Sequence, residues 1–226
     1  MAAKKTDPVA KSSKAHIIYK TSDGKRVPGA STIAGMLEKR GLYNWHNQMG
    51  LQGIDTRKHV DNLARIGTCA HLMISSEWKG EGADLSEFTP QEIDRAENSL
   101  ISYWNWEKGH NIKPIMVEAP LVDDEYGYGG TLDCYGMVDG FPTLLDLKTS
   151  KGIFDEHIIQ LAAYYHLLLR RDEPVEGVRI LRVGRDESEG FEDHVIDLED
   201  LVPYSKVFFL LLEIYKLQKV IKKKGA

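Results

Sequence analysis

GYGGTLDCYGMVDGFPTLLDLKTSKGIFDEHIIQLAAYY, residues 127 to 165, decides how this chain is read. Gly130 to Val138 and Pro142 to Lys148 are apolar, β-branched runs joined by Asp139-Gly140, a strong two-residue hairpin signal. Phe154 to Arg171 then takes up a helical period. Asp133 lies inside the first strand, and Asp146-Leu147-Lys148 ends the second. Residues two apart on a strand share a face, so Asp146 and Lys148 emerge together while Leu147 turns into the core. By the same rule Leu132 and Cys134 are expected to point opposite to Asp133. Gly129 and Gly130 leave room for a substrate or a neighbouring backbone.

Each piece alone has a plainer explanation. Asp133 could be a solvent-facing strand residue, and Asp146 with Lys148 a surface salt bridge. Gln160 and Tyr164, four apart on one helix face with His157 nearby, could be an ordinary wet side of an amphipathic helix. Together they say more. Leu144 and Leu145 make the approach to Asp146 apolar, so its charge needs a partner or a metal. Two carboxylates and a lysine on adjacent strands can hold a hard divalent cation and orient a water beside it, which is the chemistry of phosphodiester hydrolysis.

Outward from this stretch, Gly177 to Val183 and His194 to Ile196 are two further strands, and Leu198 to Lys222 is a terminal helix. Upstream, Ile115 to Val122 is a strand. Thr89-Pro90-Gln91-Glu92 starts a helix to about Lys108 whose buried face is Ile93, Ala96, Leu100, Tyr103 and Trp104. A long helix over Thr56 to Trp78 carries the stripe Leu63, Ile66, Ala70 and Ile74, closed by Gly80-Glu81-Gly82. His71 stands beside that stripe, where periodicity alone reads it as a core histidine. Ile17 to Thr21 is a short strand before a turn, Ser31 caps a helix to about Arg40, and Tyr43 to Met49 is a second short helix. The order predicts an α/β fold: a central mixed sheet of about five strands flanked by helices, preceded by a helical N-terminal lobe.

The motifs resemble those of the PD-(D/E)XK nuclease superfamily, and within it the RecB-like exonuclease branch. The matching residues are GTCAH at Gly67 to His71, GGTLD at Gly129 to Asp133, LLDLKTSK at Leu144 to Lys151 and QLAAYY at Gln160 to Tyr165. VPGASTIAGMLEKRGLYNW, from Val27 to Trp45, is also similar to what precedes the histidine helix in that branch. The resemblance implies a restriction-endonuclease-like core and a metal-dependent DNA nuclease, an exonuclease acting in recombination, repair or replication. It implies that His71, Asp133, Asp146 and the backbone carbonyl of Leu147 bind Mg²⁺ or Mn²⁺. Lys148 then positions the attacking water, Gln160 and Tyr164 support that lysine and contact nucleic acid, and Glu118 is an accessory acid. The four cysteines that hold an iron–sulfur cluster in some relatives are absent, so no cluster is expected. The partner implied is DNA, single-stranded or at a duplex end. The expected domain plan is a disordered basic tail over 1–15 and one nuclease domain over 16–226. Within it, 16–110 is mainly the helical lobe carrying His71, and 111–226 is the catalytic sheet with its flanking helices.

Composition bounds these readings. Two cysteines, Cys69 and Cys134, are too few for a disulfide framework and lack metal-binding spacing, as expected of a reduced compartment. The lysine-bearing start has no apolar core of a secretory signal, and no apolar run has the length of a membrane span. The expectation is therefore a cytoplasmic protein of a bacterial or phage-infected cell, with no membrane partner. The formal net charge of −5 does not itself point to nucleic acid, though a local basic groove would suffice. Tyr43, Trp45, Trp104 and Trp106 are candidates for stacking on bases, or for the core. Two other readings stay open: a non-catalytic nucleic-acid-binding or assembly protein on a nuclease fold, and a hydrolase of small phosphoesters.

Overall fold

The computed structural model describes residues 17–37 and 40–224. The predicted tail over 1–15 lies outside them. Six α-helices and five strands follow in the order α1 (Ala30–Ala34), α2 (Arg40–Leu51), α3 (Thr56–Lys79), α4 (Pro90–Glu107), β1 (Ile112–Asp123), β2 (Tyr128–Val138), β3 (Phe141–Lys148), α5 (Asp155–Leu169), β4 (Gly177–Val183), β5 (Phe191–Val195) and α6 (Leu201–Lys224). The strands lie in the sheet in chain order. β1, β2, β3 form an antiparallel meander, β3 and β4 run parallel across the α5 crossover, and β5 returns antiparallel to β4. The fold is thus a mixed five-stranded sheet with flanking helices, as the element order predicts.

Local chemistry explains most boundaries. Asp139 and Gly140 both have positive φ, 54° and 92°, the conformation a tight two-residue hairpin turn demands. α3 starts where the Asp55 carboxylate accepts from the amides of Arg57 and Lys58, and stops at Gly80 in the left-handed region. α4 opens with a capping box in which Thr89 and Glu92 exchange side-chain and backbone hydrogen bonds. β1 begins three residues earlier than predicted. It is an edge strand, so Pro114 sits in it without removing a needed ladder bond, and the register shifts between Pro114 and Met116.

Other expectations are corrected. α1 is capped by Gly29, not Ser31, and ends at Ala34 instead of reaching Arg40, because Gly35 interrupts it. Ile17 to Thr21 is no strand; Lys20 makes an isolated bridge to Arg26. On α4 it is Trp106, not Trp104, that is buried, so the inner face runs through Ala96, Ser99, Tyr103 and Trp106. Trp106 donates to Asp193 and stacks on His110, which removes it from the candidates for base stacking.

The sheet is covered on both faces. Beneath α1, α5 and α6 lies a core including Tyr128, Leu132, Tyr135, Leu144 and Ile180. Beneath α3 and α4 lies a second, including Cys134, Val138, Leu145, Leu147 and Leu181, with Ile74, Trp78 and Tyr103 from the helices. A partly buried ion pair ties α3 to α4. The Arg65 guanidinium donates to both Glu92 oxygens, at 2.5 and 3.1 Å, and to the Glu87 carbonyl. Glu92 is therefore at once a cap, a salt-bridge partner and a buried charge, and losing one member strands the other. Glu92→Ala is expected to destabilise the fold by about 2–3 kcal/mol, measured by urea unfolding at neutral pH.

Candidate functional site

The candidate site lies where β2 and β3 part. Their ladder runs from Val138 opposite Phe141 to Cys134 opposite Leu145 and goes no further, while β3 stays paired to β4 as far as Lys148 opposite Arg182. At the next rung Asp133 stands in for the missing backbone partner: its Oδ2 accepts the Leu147 amide at 2.8 Å. Leu147 itself is buried on the α3 and α4 side, as its place in the strand predicts.

Side-chain alternation reverses at this rung. Leu132 packs under α5 and α6 whereas Cys134 packs under α3 and α4, so the two do not share a face as strict alternation required. Across the ladder, Val117 pairs with Cys134 and Ala119 with Leu132, which puts Glu118 opposite Asp133. Glu118 has φ 49°, left-handed backbone that a non-glycine residue in a strand rarely adopts. Val117 and Leu121 fall in opposite cores, so β1 reverses where β2 does.

This local twist lets groups from both faces of the sheet converge. His71 arrives from α3, its Nδ1 at 3.4 Å from Asp133 Oδ1. α3 comes this close because Gly67, one turn earlier, lies against Thr149 at the end of β3; a Cβ there would stand 2.6 Å from the Thr149 hydroxyl. One ligand atom from each of His71, Glu118 and Asp133 lies within 4.8 Å of the others, a cluster that could hold a metal ion. Glu118 thus stands in the trio itself, while Asp146 lies outside it. Strand alternation offered no way to see this, because the reversal at Glu118 breaks the period on which such reasoning depends.

Asp146 is 1% exposed and pairs with Lys148, whose Nζ is 2.5 Å from Oδ2. The ammonium is close but off the hydrogen-bonding direction, and Asp146 Oδ1 also has no hydrogen-bond partner; His71 Nδ1 is in the same condition. Carboxylate oxygens and an imidazole nitrogen are ligand atoms that suit a hard or borderline divalent cation. From α5, the Gln160 amide donates to the Tyr164 hydroxyl at 2.5 Å. The Tyr164 ring fills the space above Gly130, and the Tyr19 ring fills that above Gly129. The room at the two glycines is thus taken by tyrosine rings and, at Gly129, by the neighbouring backbone that the sequence offered as the alternative to substrate, the Gly129 amide donating to the Pro28 carbonyl at 3.0 Å. Tyr19, to which the sequence gave no role, also bonds Thr131 at 2.8 Å, two residues from Asp133.

The electrostatics are those of buried, crowded charges. Burial raises the Asp146 carboxyl to about 6, with Lys148 pulling it down and the Asp133 charge adding to the rise. For Asp133 burial acts in the same direction, but His71, Lys148 and the Leu147 amide outweigh it and hold the carboxyl below the usual range. Burial, then the charges of Asp146 and Asp133, push the Tyr164 phenol well above its ordinary value. Beside the cluster a groove of about 480 Å³ opens between α3 and the loop after it, lined by Thr68, His71, Leu72, Ser75, Lys79 and Glu118 among others. Of the aromatic candidates for stacking, Tyr43 and Trp104 are exposed, and Trp45 is half-buried beside His46 and His59. Among the described residues no helix is long and apolar enough to cross a membrane.

The raised carboxyl of Asp146 makes a stability statement. Its folded pKa lies above the unfolded value near 4, so the folded state loses stability as pH rises from about 4 through about 6 and carries the full penalty above. Asp146→Asn is expected to raise the melting temperature of the metal-free chain at pH 8 and to change it little at pH 4. Thermal melts in EDTA at the two pH values measure this.

No protein-family model matches the chain, and no curated protein does. Among the solved structures similar in part are these two. One is the crystal structure of LHK-Exo in complex with dAMP, at 12% identity over 73% of this chain and 90% of that one, with a TM-score of 0.37. The other is SSO0001, at 14% identity over 63% of this chain and 71% of that one, with a TM-score of 0.26. At these scores neither likeness bears on function.

Proposed function

We propose that the chain is a divalent-metal-dependent DNA nuclease, an exonuclease of recombination, repair or replication, in which residues 16–226 form one nuclease domain. The observation that carries this reading is the convergence of His71, Glu118 and Asp133 within 4.8 Å beside a buried Asp146–Lys148 ion pair. The motif resemblance adds to it, since the same residues fall in the PD-(D/E)XK pattern.

In this reading His71, Glu118 and Asp133 would hold Mg²⁺ or Mn²⁺, with Asp146 and the Leu147 carbonyl as the further ligands that the motif implies. The ion supplies an acidified water and positive charge at the scissile phosphate. Asp133, its other oxygen tied to the Leu147 amide, is a fixed ligand that needs no reorganisation. Lys148 places a cation where negative charge develops on the phosphate, held there by Asp146. Gln160 and Tyr164 are coupled to each other within α5, the Gln160 amide donating to the Tyr164 hydroxyl.

Lys148→Ala and Asp146→Ala are each expected to lower the rate of digestion of end-labelled linear DNA by a factor of at least about 10³, with circular dichroism unchanged. Wild-type rates in either variant would end the proposal. His71→Ala is expected to weaken Mn²⁺ binding about 10-fold or more in calorimetry, as loss of one ligand should; an unchanged isotherm would return His71 to a packing role.

A further inference from the structure

β2 changes neighbours at the fork. From Val138 back to Cys134 it runs beside β3; from Leu132 back to Tyr128 the strand still paired to it is β1. The border that β3 vacates is occupied again at Gly129, by the segment that precedes α1. The Gly129 amide donates to the Pro28 carbonyl at 3.0 Å, and Gly29 and Gly129 form a parallel bridge. This segment, 17–29, folds back on itself, with the Val27 amide on the Tyr19 carbonyl at 3.1 Å. It is moored twice more. The Ser22 amide at its turn donates to the Asp124 carboxylate at 3.0 Å, and Ala30, Ile33 and Ala34 just after it are buried in the core.

Tyr19 carries this contact inward toward the cluster. Tyr128 and Leu132 face the core under α5, and Gly130 faces Tyr164 on α5 itself. Gly129, Thr131 and Asp133 face the other way. The Tyr19 ring lies across the glycine bridge: a Cβ at Gly129 would stand 2.6 Å from its Cγ, and one at Gly29 3.0 Å from its Cε2. The ring keeps its seat because Gly129 has no side chain. Its hydroxyl bonds the Thr131 hydroxyl at 2.8 Å, two residues from Asp133. Burial lifts the Tyr19 phenol above its ordinary range, the Thr131 bond counters this, and the Glu118 charge adds to the rise, so the phenol lies in the field of the cluster.

We propose that Tyr19 is a positioning residue for the metal cluster: through Thr131 it fixes the stretch of β2 that bears Asp133, and with it the spacing of the ligand atoms of His71, Glu118 and Asp133. This deepens the nuclease reading and rests on the metal in it. The reason is mechanical. Asp133 stands where its strand has just lost one neighbour, and a ligand free to drift binds an ion less tightly, because binding must then order it. On the β3 side the Leu147 amide fixes the Asp133 carboxylate. On the far side the Tyr19–Thr131 bond and the glycine bridge restrain the backbone that leads to it. Tyr19 acts through the strand, so its loss should be read in the affinity for the ion.

Calorimetric titration of the full chain with Mn²⁺ at neutral pH tests this, beside thermal melts in EDTA. Tyr19→Phe keeps the ring and Thr131→Val keeps the shape; each is expected to weaken Mn²⁺ binding about 3- to 10-fold. A merely structural role would lower the melting temperature and leave the affinity where it was. The double variant should bind no more weakly than the weaker single, because both substitutions remove the same bond. Thr131→Ser, which keeps the hydroxyl, should recover the affinity lost in Thr131→Val. Wild-type affinity in either Tyr19→Phe or Thr131→Val overturns the proposal, as do losses that add in the double variant, or a Thr131→Ser that binds as weakly as Thr131→Val. A wild type that binds Mn²⁺ and cuts DNA beside such variants leaves the nuclease reading standing. A wild type that gives no Mn²⁺ isotherm ends both.

Discussion

One hydrogen bond organises the working end of this molecule: the Asp133 carboxylate on the Leu147 amide. Where two strands separate inside a sheet, each exposes backbone groups that burial cannot leave unpaired. Here a side chain closes the gap. That solution fixes a carboxylate at the mouth of the fork, and the remaining oxygen is left to face His71 and Glu118. The twist that opens the fork is shared by β1, whose backbone at Glu118 is left-handed. Structural necessity and the cluster of His71, Glu118 and Asp133 thus have the same origin.

The supports are layered around that rung. α3 must approach closely for His71 to reach, and Gly67 against Thr149 permits it. α3 must also be held in place along its length, which the Arg65–Glu92 pair does by tying it to the first turn of α4. On the other face Tyr164 leans into the space that Gly130 leaves, so α5 is seated by the strand that carries Asp133. Asp146 is the costly member. A carboxylate lifted by burial and a neighbouring charge sits against the stability of the chain, a cost of the kind that recurs at working sites.

Much of the fold was legible in the sequence. The Asp139-Gly140 turn, the apolar runs on either side of it, the Thr89 capping box and the change from helical to strand period each reflect local chemistry that tertiary contacts do not override. Asp146, Leu147 and Lys148 were legible for the same reason, as a period of two fixes which side each takes. What escaped was non-local. The reversal at Glu118 and Asp133 arises from strands separating, and no pattern of spacing encodes it. Trp104 and Trp106 exchanged places because two residues on a helix differ by some 200°, and only the Asp193 partner on β5 decides which is inside. Tyr19 reaches Thr131 across more than a hundred residues. The shortness of α1 lay in a single glycine weighed too lightly.

Both margins of the sheet are poor templates for another strand. β1 carries Pro114, which has no amide to offer, and the register slips right after it. β5 is only five residues long and bears Glu192, Asp193 and His194. A chain arriving edge-on would find a missing donor at one border and a short, charged rim at the other. Crowded copies of this protein should therefore resist the runaway strand stacking that ends in fibrils.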